Sequence, residues 1–159
     1  MYRTILLAYD GTIEGRLALR EGARLAQICG ARLVLLAVVE PVPDHFYGGE
    51  GAVYIPPDKT DDIQKILDEG LERLARMGLS AEARLETGRP AEWIAVVAQE
   101  TMADLVVVGH HKLGVLERWL RGSVTKLLSD NLTCSLLVAR LEISDDDLFK
   151  ATAAVSPDQ

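Results

Sequence analysis

The sequence predicts an α/β fold: a single domain built on a five-stranded parallel sheet with helices on both faces. Short apolar runs, such as residues 33–39, alternate with stretches of helical periodicity. Strands without polar alternation are typical of a parallel sheet that is covered on both sides. A chain of 159 residues with 48% hydrophobic residues suits one domain with a continuous core. The expected layering is that of flavodoxin-like and Rossmann-like proteins.

The first three predicted elements form a βαβ unit. Residues 4–9 are apolar and are followed by Asp10-Gly11-Thr12, which indicates a buried strand and a turn. Thr12 is a suitable N-cap for a helix that ends near Cys29, with Gly30 as its C-terminal stop. A second buried strand covers residues 32–39, and a right-handed crossover makes it parallel to the first.

The rest of the chain continues this alternation. Thr60 is a possible cap of the second helix, and Pro90 suits the first turn of the third. We expect a loop over 40–58, a helix over about 60–77, an edge-like strand over 80–86, a helix over about 91–101, a strand over 104–109, a loop over 110–121, a helix from 122 to 128 or 129, and a strand over 133–139.

Acidic residues are concentrated near the C-terminus. The formal charge is −7, and residues 141–159 contain five acidic residues against one lysine. We expect residues 1–140 to form the domain and residues 141–159 to form an acidic tail, either solvated or docked as a short helix on a partner. The overall acidity argues against a nucleic-acid surface, which requires basic patches.

Neither a membrane span nor a secretory signal is expected from the sequence. The apolar runs are too short to cross a bilayer, and the N-terminus lacks a signal peptide with a small-residue cleavage site. We therefore expect a cytoplasmic protein. Cys29 and Cys134 have no CxxC partner, so we expect both to be small buried hydrophobes in a reducing compartment.

A ligand is expected beyond the carboxyl ends of the strands, where strand order reverses in open α/β sheets. The candidate segments are Ala8–Thr12, Val38–Glu40 and Val108–His110. Residues 109–124 (GHHKLGVLERWLRGSV) run from a buried strand through a glycine-containing loop into a helix opened by Gly-Ser. A helix N-terminus of this kind can bind phosphate. Ser123 could donate to that phosphate or simply cap its own helix, and both interpretations stay open.

In these segments the chain resembles the universal stress protein domain. The ATP-binding branch of that family carries Gly-x2-Gly-x9-Gly-Ser/Thr after its fourth strand. Gly109, Gly122 and Ser123 match this motif at the right spacing. Lys112 stands where the second glycine belongs, and Gly114 follows two residues later.

The resemblance covers residues 2 to about 140 and implies an adenine nucleotide alpha hydrolase-like fold. It also implies a signalling or stress-response module that binds ATP or AMP, with or without Mg²⁺. Asp10 is similar to the first-strand aspartate that lies near adenine and ribose in relatives. The pair Val38–Val39 is similar to the strand end whose backbone contacts adenine. The nucleotide-binding residues implied are Ala8, Tyr9, Asp10, Thr12, Val38, Val39, Val108, Gly109, His111, Lys112, Gly114, Gly122, Ser123 and Val124.

Lys112 keeps a second interpretation open, namely a nucleotide-free dimeric interaction protein of the same fold. The resemblance implies a homodimer through the apolar last strand, Ser135 to Ala139, and a protein target that the sequence does not identify. We expect no metal site, because His110 and His111 are adjacent and lack a Cys or carboxylate cluster. No catalytic motif is recognisable, so we expect no enzymatic activity beyond slow incidental ATP hydrolysis.

Overall fold

The computed structural model of the chain describes residues 1–41, 59–109 and 132–139. Most of the predicted loop 40–58, the loop 110–121, the fourth helix and the acidic tail lie outside the described residues. The elements within them are β1 (Thr4–Ala8), α1 (Ile13–Cys29), β2 (Arg32–Val39), α2 (Thr60–Arg76), β3 (Ala81–Thr87), α3 (Pro90–Glu100), β4 (Leu105–Gly109) and β5 (Ser135–Ala139).

The five strands form one parallel sheet in the order β3-β2-β1-β4-β5. This confirms the predicted five-stranded parallel α/β fold, with an order of the Rossmann type rather than the flavodoxin type. The chain moves outward from β1 through β2 to β3 and then crosses to the other side of β1 for β4 and β5. Strand order therefore reverses between β1 and β4, at the centre of the sheet.

Helices cover both faces of the sheet, as the apolar strands predict. Alternate residues of a strand point to opposite faces, and β1 divides its side chains in this way. Ile5 and Leu7 belong to the core beneath α1 and α2, whereas Leu6 belongs to a second core beneath α3. All three are at most 1% exposed, which explains why the strand has no polar alternation.

Capping confirms the prediction for α1 and corrects it for α2. The Thr12 hydroxyl accepts from Gly15 N at 3.0 Å, and Gly30 ends α1 with φ +64°. In α2 the N-cap is Lys59 and Thr60 is the first helical residue, so Thr60 is not the cap. Asp61 and Asp62 lie in that first turn, where negative charge offsets the positive end of the helix dipole.

The two cysteines are half-buried free thiols rather than fully buried hydrophobes. Cys29 is the last residue of α1, and Cys134 directly precedes β5. Both positions lie at the boundary of an element, so the packing there is less complete than in the core. Among the described helices, none is long and apolar enough to cross a membrane.

At the amino end of the sheet, Asp104 joins three strands. Its carboxylate accepts from Arg3 N at 2.9 Å and from Thr4 N at 3.1 Å. Its backbone N donates to Thr4 O at 3.0 Å, and its carbonyl accepts from Ser135 N at 3.2 Å. Burial alone would raise the pKa of Asp104, but the backbone N–H donors of Arg3 and Thr4 outweigh it and hold that pKa below its ordinary value.

We expect Asp104→Asn to lower the free energy of unfolding by about 1–2 kcal/mol at pH 7, since hydrogen bonds to a charged acceptor are lost. A carboxyl group with a lowered folded-state pKa stabilises above its ordinary pKa and loses this contribution as pH falls through the folded value. The difference from wild type should therefore shrink between pH 5 and pH 3. Urea unfolding at pH 7, 5 and 3 measures it, with Glu82→Gln as the control. A difference that stays constant over this range would contradict the prediction.

Candidate functional site

The central strand β1 is shorter at its carboxyl end than both of its neighbours. Its pairing with β2 ends at Ala8↔Leu36, and its pairing with β4 ends at Leu7↔Val107. The neighbours continue and pair only with the outer strands, as far as Val39↔Thr87 and Gly109↔Ala139. This leaves a notch at the point where strand order reverses, the usual ligand position in such sheets. We define the notch by the segments that border it: 8–12, 38–39 and 108–109.

On the β2 side, the notch is bordered by the backbone of Val38. The Leu36 carbonyl points toward β1, where it accepts from Tyr9 N at 2.8 Å, and the Val39 carbonyl points toward β3, where it accepts from Gly88 N at 2.9 Å. Peptide groups alternate along a strand. The N–H and C=O of Val38 therefore point toward the notch, beyond the last paired residue of β1. Val38 thus offers one donor and one acceptor to a ligand.

Asp10 lies over the first turn of α1 and is exposed. Its Oδ1 accepts from the Thr12 N at 3.0 Å and from the Thr12 Oγ1 at 2.6 Å. Thr12 Oγ1 accepts in turn from Gly15 N at 3.0 Å. Within the part of the chain that the structure describes, no donor contacts Oδ2 of Asp10. A carboxylate held in this way is an acceptor for a ligand hydroxyl or amine.

The Tyr9 side chain points away from the notch into the core beneath α1 and α2. It is 3% exposed, and its hydroxyl donates to Glu69 Oε2 at 2.6 Å. The other oxygen of Glu69 accepts from Arg73 Nε at 2.7 Å and from Arg16 Nη2 at 3.1 Å. Tyr9 can therefore serve the notch only through its backbone. Residue spacing does not indicate this contact, because Glu69 lies on α2, 60 residues away.

The charges in this cluster follow from its contacts. Burial and the neighbouring Glu69 carboxylate raise the pKa of Tyr9 to about 12. Burial alone would raise the pKa of Glu69, but the bonds from Tyr9 and Arg73 reverse the effect and lower that pKa. The phenol remains the donor and the carboxylate remains charged, so β1 is fixed to α2 just before Asp10.

On the other side of the notch, β4 ends against the backbone of α1. A side chain at Gly109 would collide with the Glu14 carbonyl and would place its Cβ 2.8 Å from Gly15 N. Gly109 is therefore required for packing, whatever its role toward a ligand. Val108 is 2% exposed, and its side chain belongs to the core beneath α3. Because peptide groups alternate along a strand, those of Val108 point toward β5, where it pairs with Val138. Neither the side chain nor the backbone of Val108 therefore faces the notch, and the backbone of Gly109 borders it instead.

The carboxyl ends of β1, β2 and β4 bring together the predicted site residues up to Gly109: Ala8, Tyr9, Asp10, Thr12, Val38, Val39, Val108 and Gly109. Gly15 also lies at the notch, although it was not among the predicted site residues. Its signal in the sequence is a glycine in the first turn of a predicted helix. Outside the described residues lie His111, Lys112, Gly114, Gly122, Ser123 and Val124. In residues 1–41, 59–109 and 132–139, no group of three or more His, Cys, Asp or Glu could hold a metal ion.

Comparison with known proteins identifies one family. Residues 1–140 match the model of the Universal stress protein family. A protein of Thermus aquaticus, described as the universal stress protein in the QAH/OAS sulfhydrylase 3′ region, is 33% identical over 141 residues, which are 88% of this chain and 100% of the relative.

Solved structures show the same fold. A universal stress protein in complex with cAMP superposes with a TM-score of 0.63 at 23% identity, covering 87% of this chain and 97% of the other. A universal stress protein family protein from Arabidopsis thaliana with AMP bound superposes with a TM-score of 0.58 at 16% identity, covering 91% and 94%.

We expect Gly109→Ala to lower the free energy of unfolding by about 1–3 kcal/mol, the usual cost of forcing extra atoms into a packed site. Thermal and urea unfolding of the ligand-free protein measure this change. The matched control is Gly30→Ala, where an added Cβ meets open space but the backbone has φ +64°. That control should cost about 1 kcal/mol from backbone strain alone. Equal stability of Gly109→Ala and wild type would show that the contact is not tight.

Proposed function

We propose that this chain, which belongs to the universal stress protein family, binds an adenine nucleotide in the notch and acts as a signalling or stress-response module. The observation that carries the proposal is the pair of ligand-facing groups at the switch point: the Val38 backbone on one side and the Asp10 carboxylate beside it. The neighbours with cAMP and AMP bound support nucleotide binding by analogy of fold.

The donors and acceptors of the notch suit a nucleoside. The edge of adenine presents an amino donor next to a ring-nitrogen acceptor, which complements the carbonyl and N–H of Val38. Asp10 offers an acceptor-only oxygen, which suits a ribose hydroxyl. Because Oδ1 is already bonded to Thr12, Oδ2 is the oxygen that we assign to the ligand.

The Asp10 carboxylate also indicates on which side of the notch a phosphate would bind. A helix N-terminus attracts phosphate, but at α1 the negative Asp10 occupies that position and would repel it. We therefore assign the phosphate to the β4 side, beyond Gly109, with Gly122 and Ser123 as its contacts. ATP and AMP share the adenine, the ribose and the first phosphate, so both are proposed ligands, and Mg²⁺ would accompany ATP.

We propose binding without a dedicated catalytic step. Both cysteines lie toward the amino end of the sheet, away from the notch. The Thr12 hydroxyl that donates to Asp10 also accepts from Gly15 N as the cap of α1, so both of its hydrogen-bonding roles are structural. The arrangement therefore supports recognition of a ligand, with slow ATP hydrolysis as an incidental event.

Calorimetric titration of the purified chain with AMP and with ATP-Mg²⁺ tests the proposal. We expect saturable binding, and Asp10→Ala should weaken it about tenfold or more, since a hydrogen bond to a charged acceptor is lost. Glu82→Gln makes the same change of charge at the opposite end of the sheet and should leave affinity unchanged. If wild type shows no binding while Lys112→Gly gains it, the nucleotide-free interaction protein is the correct interpretation.

We further propose that the chain forms a homodimer through β5, since the two edges of the sheet differ. The edge strand β3 carries Glu82, Arg84 and Glu86, and charges on an edge oppose pairing with another chain. The edge strand β5 carries no charged residue between Ser135 and Ala139, and its Leu136 is 45% exposed. A second copy could pair there about a two-fold axis and cover these apolar side chains.

We expect Leu136→Lys to convert the dimer into a monomer, because the substitution places a lysine of each copy on the strand that forms the proposed two-fold interface. Light scattering coupled to size-exclusion chromatography at tens of micromolar measures the mass. Ala83→Lys places the same charge on the opposite edge strand and should leave the dimer intact. A wild-type monomer at this concentration, or a dimer that is lost equally in both variants, would contradict the assignment to β5.

A further inference from the structure

We infer that Thr12 is a positioning residue for Asp10, fixing the carboxylate so that Oδ2 alone is presented to the ligand. This inference rests on the proposed function for the identity of the ligand. The inference goes beyond the proposed function because it says that the Thr12 side chain increases the affinity for the ligand without needing to contact the nucleotide.

The direction of each hydrogen bond is determined by the chemistry of the donors. A backbone N–H can only donate, so the bond from Gly15 N to Thr12 Oγ1 uses an acceptor lone pair of the hydroxyl. The single hydroxyl hydrogen is then free to be donated, and Asp10 Oδ1 lies 2.6 Å away as an acceptor-only partner. The order is therefore Gly15 to Thr12 to Asp10, with no alternative arrangement of hydrogens.

Two donors from one residue define the orientation of the carboxylate. Thr12 N and Thr12 Oγ1 both bond Oδ1, at 3.0 Å and 2.6 Å. A side chain bonded by two donors in different directions loses the rotation that an exposed aspartate otherwise keeps. Binding a ligand then requires less ordering of the site, which is the usual benefit of preorganisation.

Gly15 provides the space in which this orientation is possible. A Cβ at Gly15 would collide with Asp10 Oδ1 and would lie 3.3 Å from Thr12 Oγ1. The carboxylate therefore lies directly against the backbone of the first turn of α1. Because Asp10 is exposed, a side chain at position 15 can displace it toward solvent without disturbing the core.

The competing explanation is that Thr12 serves only as the helix cap, and a double-mutant cycle separates the two roles. We expect Thr12→Ala to weaken AMP binding about tenfold in the wild-type background and less than twofold in the Asp10→Ala background, since residues that act through one another are not additive. Thr12→Ala also removes the helix cap, and the resulting decrease in melting temperature should be the same in wild type and in Asp10→Ala. Thr12→Ser keeps the hydroxyl and should restore AMP affinity to within about twofold of wild type.

Gly15→Ala provides the second variant, because it displaces Asp10 without removing a hydrogen-bonding group. Alanine favours a helix more than glycine does, so we expect melting temperature to be maintained while AMP affinity falls about tenfold. Equal loss of affinity on Thr12→Ala in both backgrounds, or unchanged affinity in Gly15→Ala, would overturn the inference.

An NMR measurement on the ligand-free protein keeps the inference separate from the proposed function. Three-bond couplings between Hα and Hβ of Asp10 should report one side-chain rotamer in wild type and averaged rotamers in Thr12→Ala. If wild type binds no adenine nucleotide, the proposed function fails, and these couplings still decide the positioning role. Averaged couplings in wild type, or identical couplings in the two proteins, would overturn it.

Discussion

The first turn of α1 lies directly against the carboxyl ends of β1 and β4, and the rest of the site depends on this contact. It requires glycine at position 109, since a side chain there would collide with the Glu14 carbonyl. Glycine at position 15 leaves the space that the Asp10 carboxylate occupies. The contact holds the helix N-terminus over the switch point. It also explains why a glycine that matches a ligand-binding motif is needed for packing before any ligand is considered.

The two ends of the sheet have opposite roles. At the amino end, Asp104 satisfies backbone N–H groups of Arg3 and Thr4, so the strands there are joined closely. At the carboxyl end, β1 stops before its neighbours, so peptide groups such as those of Val38 extend beyond the ladder. The hydrogen bonds of Asp104 help to hold the register of the strands at the amino end. At the carboxyl end, backbone N–H and C=O groups without a strand partner are left as donors and acceptors for a ligand. The proposed recognition therefore uses the end of the sheet at which the central ladder is incomplete.

The sequence predicted the fold closely because each part of the pattern has a local cause. Uninterrupted apolar runs mark strands with both faces buried, Thr12 and Gly30 mark the ends of α1, and the bounds of β2 are correct. The site was predicted only in part. Asp10 and Thr12 lie at the notch, but the side chain of Tyr9 is bonded to Glu69. That contact depends on how α2 packs against the sheet, which residue spacing does not indicate.

The sequence by itself determined the alternation of strands and helices, the first cap and the family, because periodicity, capping chemistry and motif spacing are read within a few residues of one another. Only the tertiary structure decided the strand order, the early end of β1, and which face of the sheet receives Tyr9. It alone brings Gly109 against Glu14 and Gly15. The physical reason is that these contacts join residues up to about one hundred positions apart, where close packing of backbones rather than local preference selects the arrangement.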